Sequence, residues 1–233
     1  MARAPVAGVE VEYSEDRWRI LWEKREKARR LLEALQGLGS PRVHGSIARG
    51  DVTPESDIDV IIPQPVPPGL VELALERAGY RPVRRLIVQA TPSYVPKVYF
   101  VLDYREEMVV SVPLAPLRPR EREFYKWGGE LGLEGIAGGK RVPGVNKELL
   151  LIIPTPTGHI EAEIEGIEGL VARILGISIE TVLERTRILT RRKEHGRTGV
   201  YIEQEIPPGE PVEEAIRRLA EKNKFFRRAV LRP

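Results

Sequence analysis

The chain has 233 residues, with 37 Lys and Arg against 34 Asp and Glu, for a formal charge of +3. Its 42% hydrophobic and 30% charged content excludes a disordered chain and fits one large globular domain or two modest ones. The lack of cysteine excludes disulfides, thiolate metal sites and cysteine nucleophiles.

No apolar run approaches the roughly 20 residues of a membrane span, and the N-terminus carries no apolar signal. The expectation is therefore a cytoplasmic protein with no membrane partner. Asparagine stands only at Asn146 and Asn223 while proline reaches 20, a thermophile-like composition.

In chain order, residues 15–36 read as an amphipathic helix, with Trp18, Leu21, Trp22, Ala28, Leu32 and Leu35 at spacings of three and four. Ser14 is its expected N-cap, and Gly37, Gly39 and Pro41 end it. A short strand from Arg42 to His44 runs into Gly45-Ser46, and a turn-rich segment leads to the strand Asp57 to Ile62. Pro63, Pro65, Pro67 and Pro68 stop that strand, and Leu70 to Ala78 reads as a short helix. Lys97 to Leu102 and Met108 to Leu114 read as a hairpin pair.

Residues 115–148 are rich in Gly, Pro and charge and read as the link to a second unit, with Trp127 as a core anchor. Strands at 149–153 and 159–165, helices around 167–175 and 178–193, a strand at 200–206 and a helix at 212–222 complete the chain. The division expected is a core over 1–128 and a smaller α+β unit over 129–233.

The stretch 43–62, VHGSIARGDVTPESDIDVII, carries the chemistry. Side chains two apart on a strand share a face, so Asp57 and Asp59 point the same way. Two carboxylates so placed repel unless protonated or bridged by a cation. Oxygen donors favour Mg2+ or Mn2+, which also bind triphosphate oxygens. Gly45 allows the backbone to approach a phosphate, the Ser46 hydroxyl can donate to it, and Arg49 adds positive charge. Alone, Gly-Ser is an ordinary turn and the aspartates a solvated strand edge; it is their combination that points to phosphate chemistry.

This stretch resembles the signature of the DNA polymerase beta nucleotidyltransferase superfamily, a Gly-Ser followed by Asp-hydrophobic-Asp. It is similar in particular to archaeal-type CCA-adding and minimal nucleotidyltransferase members, through Gly45, Ser46, Arg49, Gly50, Ser56, Asp57 and Asp59. The resemblance covers 40–62 and extends to about residue 128. It implies an α+β fold with a mixed sheet flanked by helices, a nucleoside triphosphate such as ATP as donor, and two divalent ions. Asp57 and Asp59 then hold metal, while Gly45, Ser46, Arg49 and Ser56 hold nucleotide.

One departure stands out. The family's third carboxylate, on a later strand, holds the metal that activates the attacking hydroxyl. The matching segment Val109-Val110-Ser111-Val112-Pro113 puts Ser111 there. Asp103, at a turn, is the nearest alternative metal ligand, and Glu161 and Glu163 alternate on a later strand. A nucleotide- or nucleic-acid-binding regulator on the same core is the rival reading.

Residues 171–185 resemble a helix-turn-helix, with Val171, Ala172, Leu175, Gly176, Ile177 and Val182 at packing spacing and Ser178 capping the second helix. Arg185, Arg187, Arg191, Arg192 and Lys193 follow, and Gly196-Arg197-Thr198-Gly199 before a strand would form a wing. Such a winged-helix-like unit, its helix-turn-helix spanning 171–193, would bind RNA or DNA through phosphates; the plain alternative is a solvated basic face. His44, His159 and His195 have no metal-ligand spacing, and His44 is expected to line the pocket.

Overall fold

The structure of the protein is a computed structural model that describes residues 6–196 and 199–231. The chain runs β1 (Val9–Glu12), α1 (Glu15–Ala34), β2 (Arg42–His44), α2 (Ser46–Arg49), β3 (Ile58–Ile61), α3 (Pro68–Arg77) and β4 (Arg84–Gln89). It continues through β5 (Lys97–Val101), β6 (Met108–Pro113), α4 (Pro119–Gly128), β7 (Glu130–Leu131), α5 (Leu133–Ala137) and β8 (Gly144–Val145). The remainder is β9 (Leu150–Pro154), β10 (Gly158–Glu163), α6 (Glu168–Leu175), α7 (Ile179–His195), β11 (Ile202–Glu205), α8 (Val212–Lys222) and α9 (Lys224–Val230).

Among the described residues the strands form two sheets. The larger is ordered β11-β4-β5-β6-β3-β2-β7, and the smaller β1-β10-β9-β8. The larger sheet is mixed: β3 and β6 run parallel, and its other pairs are antiparallel. A parallel pair needs a crossover, and here α3, β4 and β5 supply it. Buried residues Val43, Val60, Phe100, Val110 and Val112 of this sheet pack with Leu21, Ala28, Leu31 and Leu32 of α1, Val71 and Leu75 of α3, and Ala215 and Leu219 of α8. A second cluster joins Trp127 of α4 to Leu151 and Ala162 of the small sheet and to Val171, Val182 and Leu189 of α6 and α7.

The two sheets interleave along the chain. Against the expected division at 128–129, β1 belongs to the small sheet through its pairing with β10, while β7 and β11 belong to the large one. The wing expected after α7 is also replaced: β11 pairs with β4 as an edge strand instead of folding back on a hairpin of its own. Arg197, in the expected wing, lies outside the described residues.

The stretch read as a link holds α4, β7, α5 and β8. Its helical signal is weak because α4 begins PRERE and its buried residues, Glu121, Tyr125 and Trp127, include a charged one. Strand β4 opens on two arginines, and β1 is only VEVE, so neither gives an apolar run long enough to read.

Helix α1 begins at Ser14, whose side chain accepts from the Arg17 N–H at 3.3 Å. Its inward stripe contains one charged residue, Arg25, only 2% exposed. That guanidinium donates to three backbone carbonyls: Ile47 (3.0 Å), Ala48 (3.1 Å) and Lys140 (2.8 Å). Burial, with Arg141 acting in the same direction, lowers its pKa to about 10, which still leaves it charged at neutral pH. The cation thus sits at the C-terminal carbonyls of α2 and ties this short helix to α1. Replacing it with alanine leaves buried carbonyls without donors, so Arg25→Ala is expected to lose about 3 kcal/mol of unfolding free energy. Urea denaturation followed by circular dichroism checks this; a loss below about 1 kcal/mol would mean water replaces the side chain.

Candidate active site

A cleft of about 580 Å³ opens where the β2–α2 turn and the start of β3 face the β8–β9 turn and α7. Gly45 makes the first wall. It ends β2 with φ +79° and ψ −146°, a conformation that side chains disfavour, and an added Cβ would meet nothing within 4 Å. Backbone geometry rather than crowding therefore requires glycine there. The Gly45 carbonyl accepts from the Ala48 and Arg49 N–H groups at 3.0 Å, starting α2 with Ser46 as its first residue.

Arg49 is buried and faces Asp51. Its Nε donates to Oδ1 at 2.9 Å and Nη2 to Oδ2 at 2.8 Å, while Nη1 donates to the Gly128 carbonyl at 2.6 Å. Arg49 lines the cleft, but this bidentate pair fixes its guanidinium as a brace between α2 and the end of α4. The end of α4 is also where Gly144 matters: a Cβ on it would lie 2.7 Å from the Gly128 backbone. Only glycine lets β8 approach α4 that closely.

Asp57 is exposed just before β3, and Asp59 is partly buried within it, opposite His44 of β2 and Val109 of β6. Burial and then the neighbouring Asp59 raise the Asp57 pKa above the usual carboxylate value, opposed by Lys147 and Lys24. Ser56 shapes the approach to this pair. Its hydroxyl accepts from the Thr53 N–H at 2.9 Å, and its carbonyl accepts from Lys24 Nζ at 2.7 Å. His44 lines the cleft; burial first, then Lys97 and Arg49, lower its pKa below the ordinary imidazole value against the pull of Asp59 and Glu130.

Gly45, Ser46, Arg49, Ser56, Asp57 and Asp59 thus line one cleft. Asp103 does not. Its carboxylate accepts from the backbone N–H groups of Arg105 (2.9 Å), Glu107 (3.1 Å) and Met108 (2.7 Å), closing the β5–β6 turn. Glu161 and Glu163 lie on β10, where Glu161 bonds His159 Nε2 at 2.9 Å. Ser111 is 6% exposed and does not line the cleft; it lies against the Tyr125 hydroxyl.

The basic residues of α7 divide by helical phase. Arg185, Arg192 and Lys193, with Leu189, line the cleft, while Arg187 and Arg191 are exposed away from it. The Arg185 guanidinium lies 4.7 Å from the centre of the Phe124 ring, and its buried Nε–H has no partner among the described residues. Lys193 pairs with Glu148 at 2.9 Å. Helix α7 is docked by Glu123 of α4, which accepts from the Ser178 hydroxyl at 2.6 Å and from the Thr181 hydroxyl. Asn146, Lys147 and Glu148 also line the cleft, contributed by a turn whose role no sequence motif signals.

A divalent ion is tested here by its donors. Asp57 and Asp59 offer hard oxygens with mutual repulsion to relieve, and no cluster of three or more His, Asp or Glu suited to a metal occurs among the described residues. That donor set fits a divalent cation that would take its remaining ligands from water and phosphate oxygens.

Residues 25–112 match the family described as nucleotidyltransferase domain. The match runs from within α1 to β6 and includes Gly45, Ser46, Asp57, Asp59 and Ser111. It is consistent with a polymerase beta-type enzyme, as is the mixed sheet flanked by helices. No curated protein and no solved structure matches the chain. No helix among the described residues is long and apolar enough to cross a membrane.

The Arg49–Asp51 pair, with side chains 7% and 8% exposed, holds this wall of the cleft together. Asp51→Ala would leave the Arg49 charge buried without its partner, and is expected to lower unfolding free energy by about 3 kcal/mol. Thermal melts of the two proteins check this, and an unchanged Tm would rule out the brace.

Proposed function

We propose that this chain, whose residues 25–112 form a nucleotidyltransferase domain, moves a nucleoside monophosphate from a nucleoside triphosphate to a hydroxyl acceptor and releases pyrophosphate. The observation that carries the reading is the placing of Asp57 and Asp59 in one cleft with Gly45 and Ser46, inside the matched segment. The acceptor hydroxyl gives its proton to water, its oxygen attacks the α-phosphorus to form a new P–O bond, and the bond from that phosphorus to the α,β-bridging oxygen breaks, so that pyrophosphate leaves. Asp57 and Asp59 would hold Mg2+ or Mn2+, whose charge, when bound, offsets that of the triphosphate.

The chain's own residues do the positioning. Gly45 brings the backbone close to the phosphates, the Ser46 hydroxyl donates to their oxygens, and Ser56 sets the turn that presents Asp57. Arg49 acts through this wall as its brace. Lys147 and Arg192 add positive charge to the cleft. Arg185, Arg192 and Lys193 support an acceptor that carries phosphate, RNA or DNA, laid against α7. Arg187 and Arg191, outside the cleft, would touch only an acceptor long enough to pass beyond it. A cytoplasmic setting belongs to the same reading.

A specific observation favours a second reading, a nucleotide-binding regulator. The cleft has no unpaired third carboxylate beside Asp57 and Asp59 apart from the exposed Glu55. In that case triphosphate would bind without turnover.

Asp59→Asn removes one charge and keeps the shape. It is expected to cut pyrophosphate release at least 100-fold with an unchanged Tm, the scale of losing a group that acts on the transferring phosphate. Release should be assayed with each nucleoside triphosphate and with RNA and DNA acceptors; full activity in the variant would remove the assignment. Arg192→Ala is expected to weaken nucleic-acid binding and to flatten its dependence on salt by about one ion, the change that follows when a single cation no longer neutralises a phosphate. An unchanged slope in a filter-binding series would exclude that residue.

A further inference from the structure

The last two helices carry a concentration of positive charge that the cleft does not use. Between residues 216 and 231 the chain holds Arg217, Arg218, Lys222, Lys224, Arg227 and Arg228 against the single acid Glu221. Arg217 and Arg218 are paired with Glu214 and Glu210. Lys222, Lys224, Arg227 and Arg228 are exposed and form no ion pair among the described residues. Helix α9 sorts its residues by phase: Phe226 and Ala229 are buried, which turns Lys224, Arg227 and Arg228 to solvent.

Two aromatic rings stand among these cations, Phe225 at 42% exposed and Tyr201 at 38%. One side chain fixes both. Asn223 Oδ1 accepts from the Phe225 and Phe226 N–H groups at 3.0 Å, and its Nδ2 donates to the Tyr201 hydroxyl at 3.1 Å. The two rings lie edge to face with centres 6.4 Å apart, and Lys224 Nζ is 5.3 Å from the centre of Phe225. Helix dipoles account for Lys222 at the end of α8 and for Arg227 and Arg228 in the last turn of α9. They do not account for Lys224, the first residue of α9, where a cation is disfavoured, nor for rings held in solvent. The patch is also remote from the cleft. Tyr201 immediately precedes β11, an edge strand separated from β3 by β4, β5 and β6, roughly 20 Å at ordinary strand spacing.

We propose that Tyr201 and Phe225, with Lys224, Arg227 and Arg228, form a second binding site, for single-stranded nucleic acid. The cations hold its phosphates and the exposed rings stack on its bases. Cations interleaved with rings fit a strand that alternates phosphate with base. A duplex keeps its base faces inside the stack, so the rings select a single strand. The site stands independently of the transferase reading. Where that reading holds, the patch grips an acceptor strand at a distance from its reacting end.

Fluorescence anisotropy of a labelled oligouridine titrated with the full chain tests this. Phe225→Ala is expected to weaken binding about fivefold or more, and Phe225→Leu, apolar but without a ring, by a similar factor, while Phe225→Trp keeps the affinity. Arg227→Gln combined with Arg228→Gln is expected to flatten the slope of log affinity against log salt by about 1.4, at ~0.7 for each phosphate released. Each variant is checked for a cooperative melt. Full affinity in Phe225→Ala, or an unchanged slope in the double variant, would overturn the site. An anionic lipid surface would use the same cations, so the variants are also sedimented with phosphatidylserine–phosphatidylcholine vesicles. A Phe225→Ala protein that loses vesicles but keeps oligouridine would replace nucleic acid with lipid. The series is repeated in the Arg192→Ala background, where the factor for Phe225→Ala should persist because the two sites are far apart; its disappearance would return the strand to the cleft alone. Pyrophosphate release is measured separately. Binding that needs Phe225 keeps the patch even without turnover, whereas release with no effect of Phe225 keeps the transferase and removes the patch.

Discussion

Two carboxylates two residues apart, Asp57 just before β3 and Asp59 within it, line one cleft, and much of this cleft is arranged around their repulsion. Burial, and then the neighbouring Asp59, raise the cost of ionising Asp57. Positive groups stand nearby, with Lys24 and Lys147 both acting on Asp57. None of them forms an ion pair with either aspartate among the described residues, so both carboxylates stay available. A divalent cation held by Asp57 and Asp59 would relieve this repulsion more than a single lysine, because it would bring a double charge.

The wall that faces these carboxylates is held by two buried, hydrogen-bonded guanidinium groups. Arg25 satisfies the carbonyls at the end of α2, and Arg49 joins Asp51 to the end of α4. Between them they fix a four-residue helix that could not persist alone, since so short a helix makes few internal bonds. The positive-φ backbone of Gly45, which glycine adopts without strain, sits at the centre of this bracing. Arg49, which the sequence offered to phosphate, lines the cleft already paired with Asp51, and the other cations that line it come from elsewhere in the chain.

That elsewhere is α7 and the β8–β9 turn, brought to the cleft by the interleaving of the sheets. β1 draws the start of the chain into the small sheet, where Tyr13 bonds the buried His159 at 2.7 Å. β11 then returns the chain to the large sheet, and α8 and α9 pack beneath it. With both sheets tied at two places, the small sheet is a wall of the cleft instead of an appended unit. The helix-turn-helix of α6 and α7 follows suit: Glu123 docks its second helix against α4, so Arg185, Arg192 and Lys193 face the cleft.

What the sequence by itself determined was local. The 3.6-residue stripe of α1, the Gly45-Ser46 turn, and the nearness of Asp57 to Asp59 follow from chain geometry within a few residues, and were legible for that reason. The same holds for the paired strands β5 and β6 and for the helices α6 to α8. Tertiary structure decided what depends on partners far apart in the chain. It closed Ser111 beneath Tyr125 and Lys97, turned Asp103 onto a backbone turn, paired Arg49 with Asp51, and separated Arg185 and Arg192 from Arg187 and Arg191. It also made a helix of α4, whose charge-rich sequence gives little local signal but whose buried Trp127 packs into the second core. A side chain's type limits the bonds it can make, while the residues packed around it determine which of those bonds it does make.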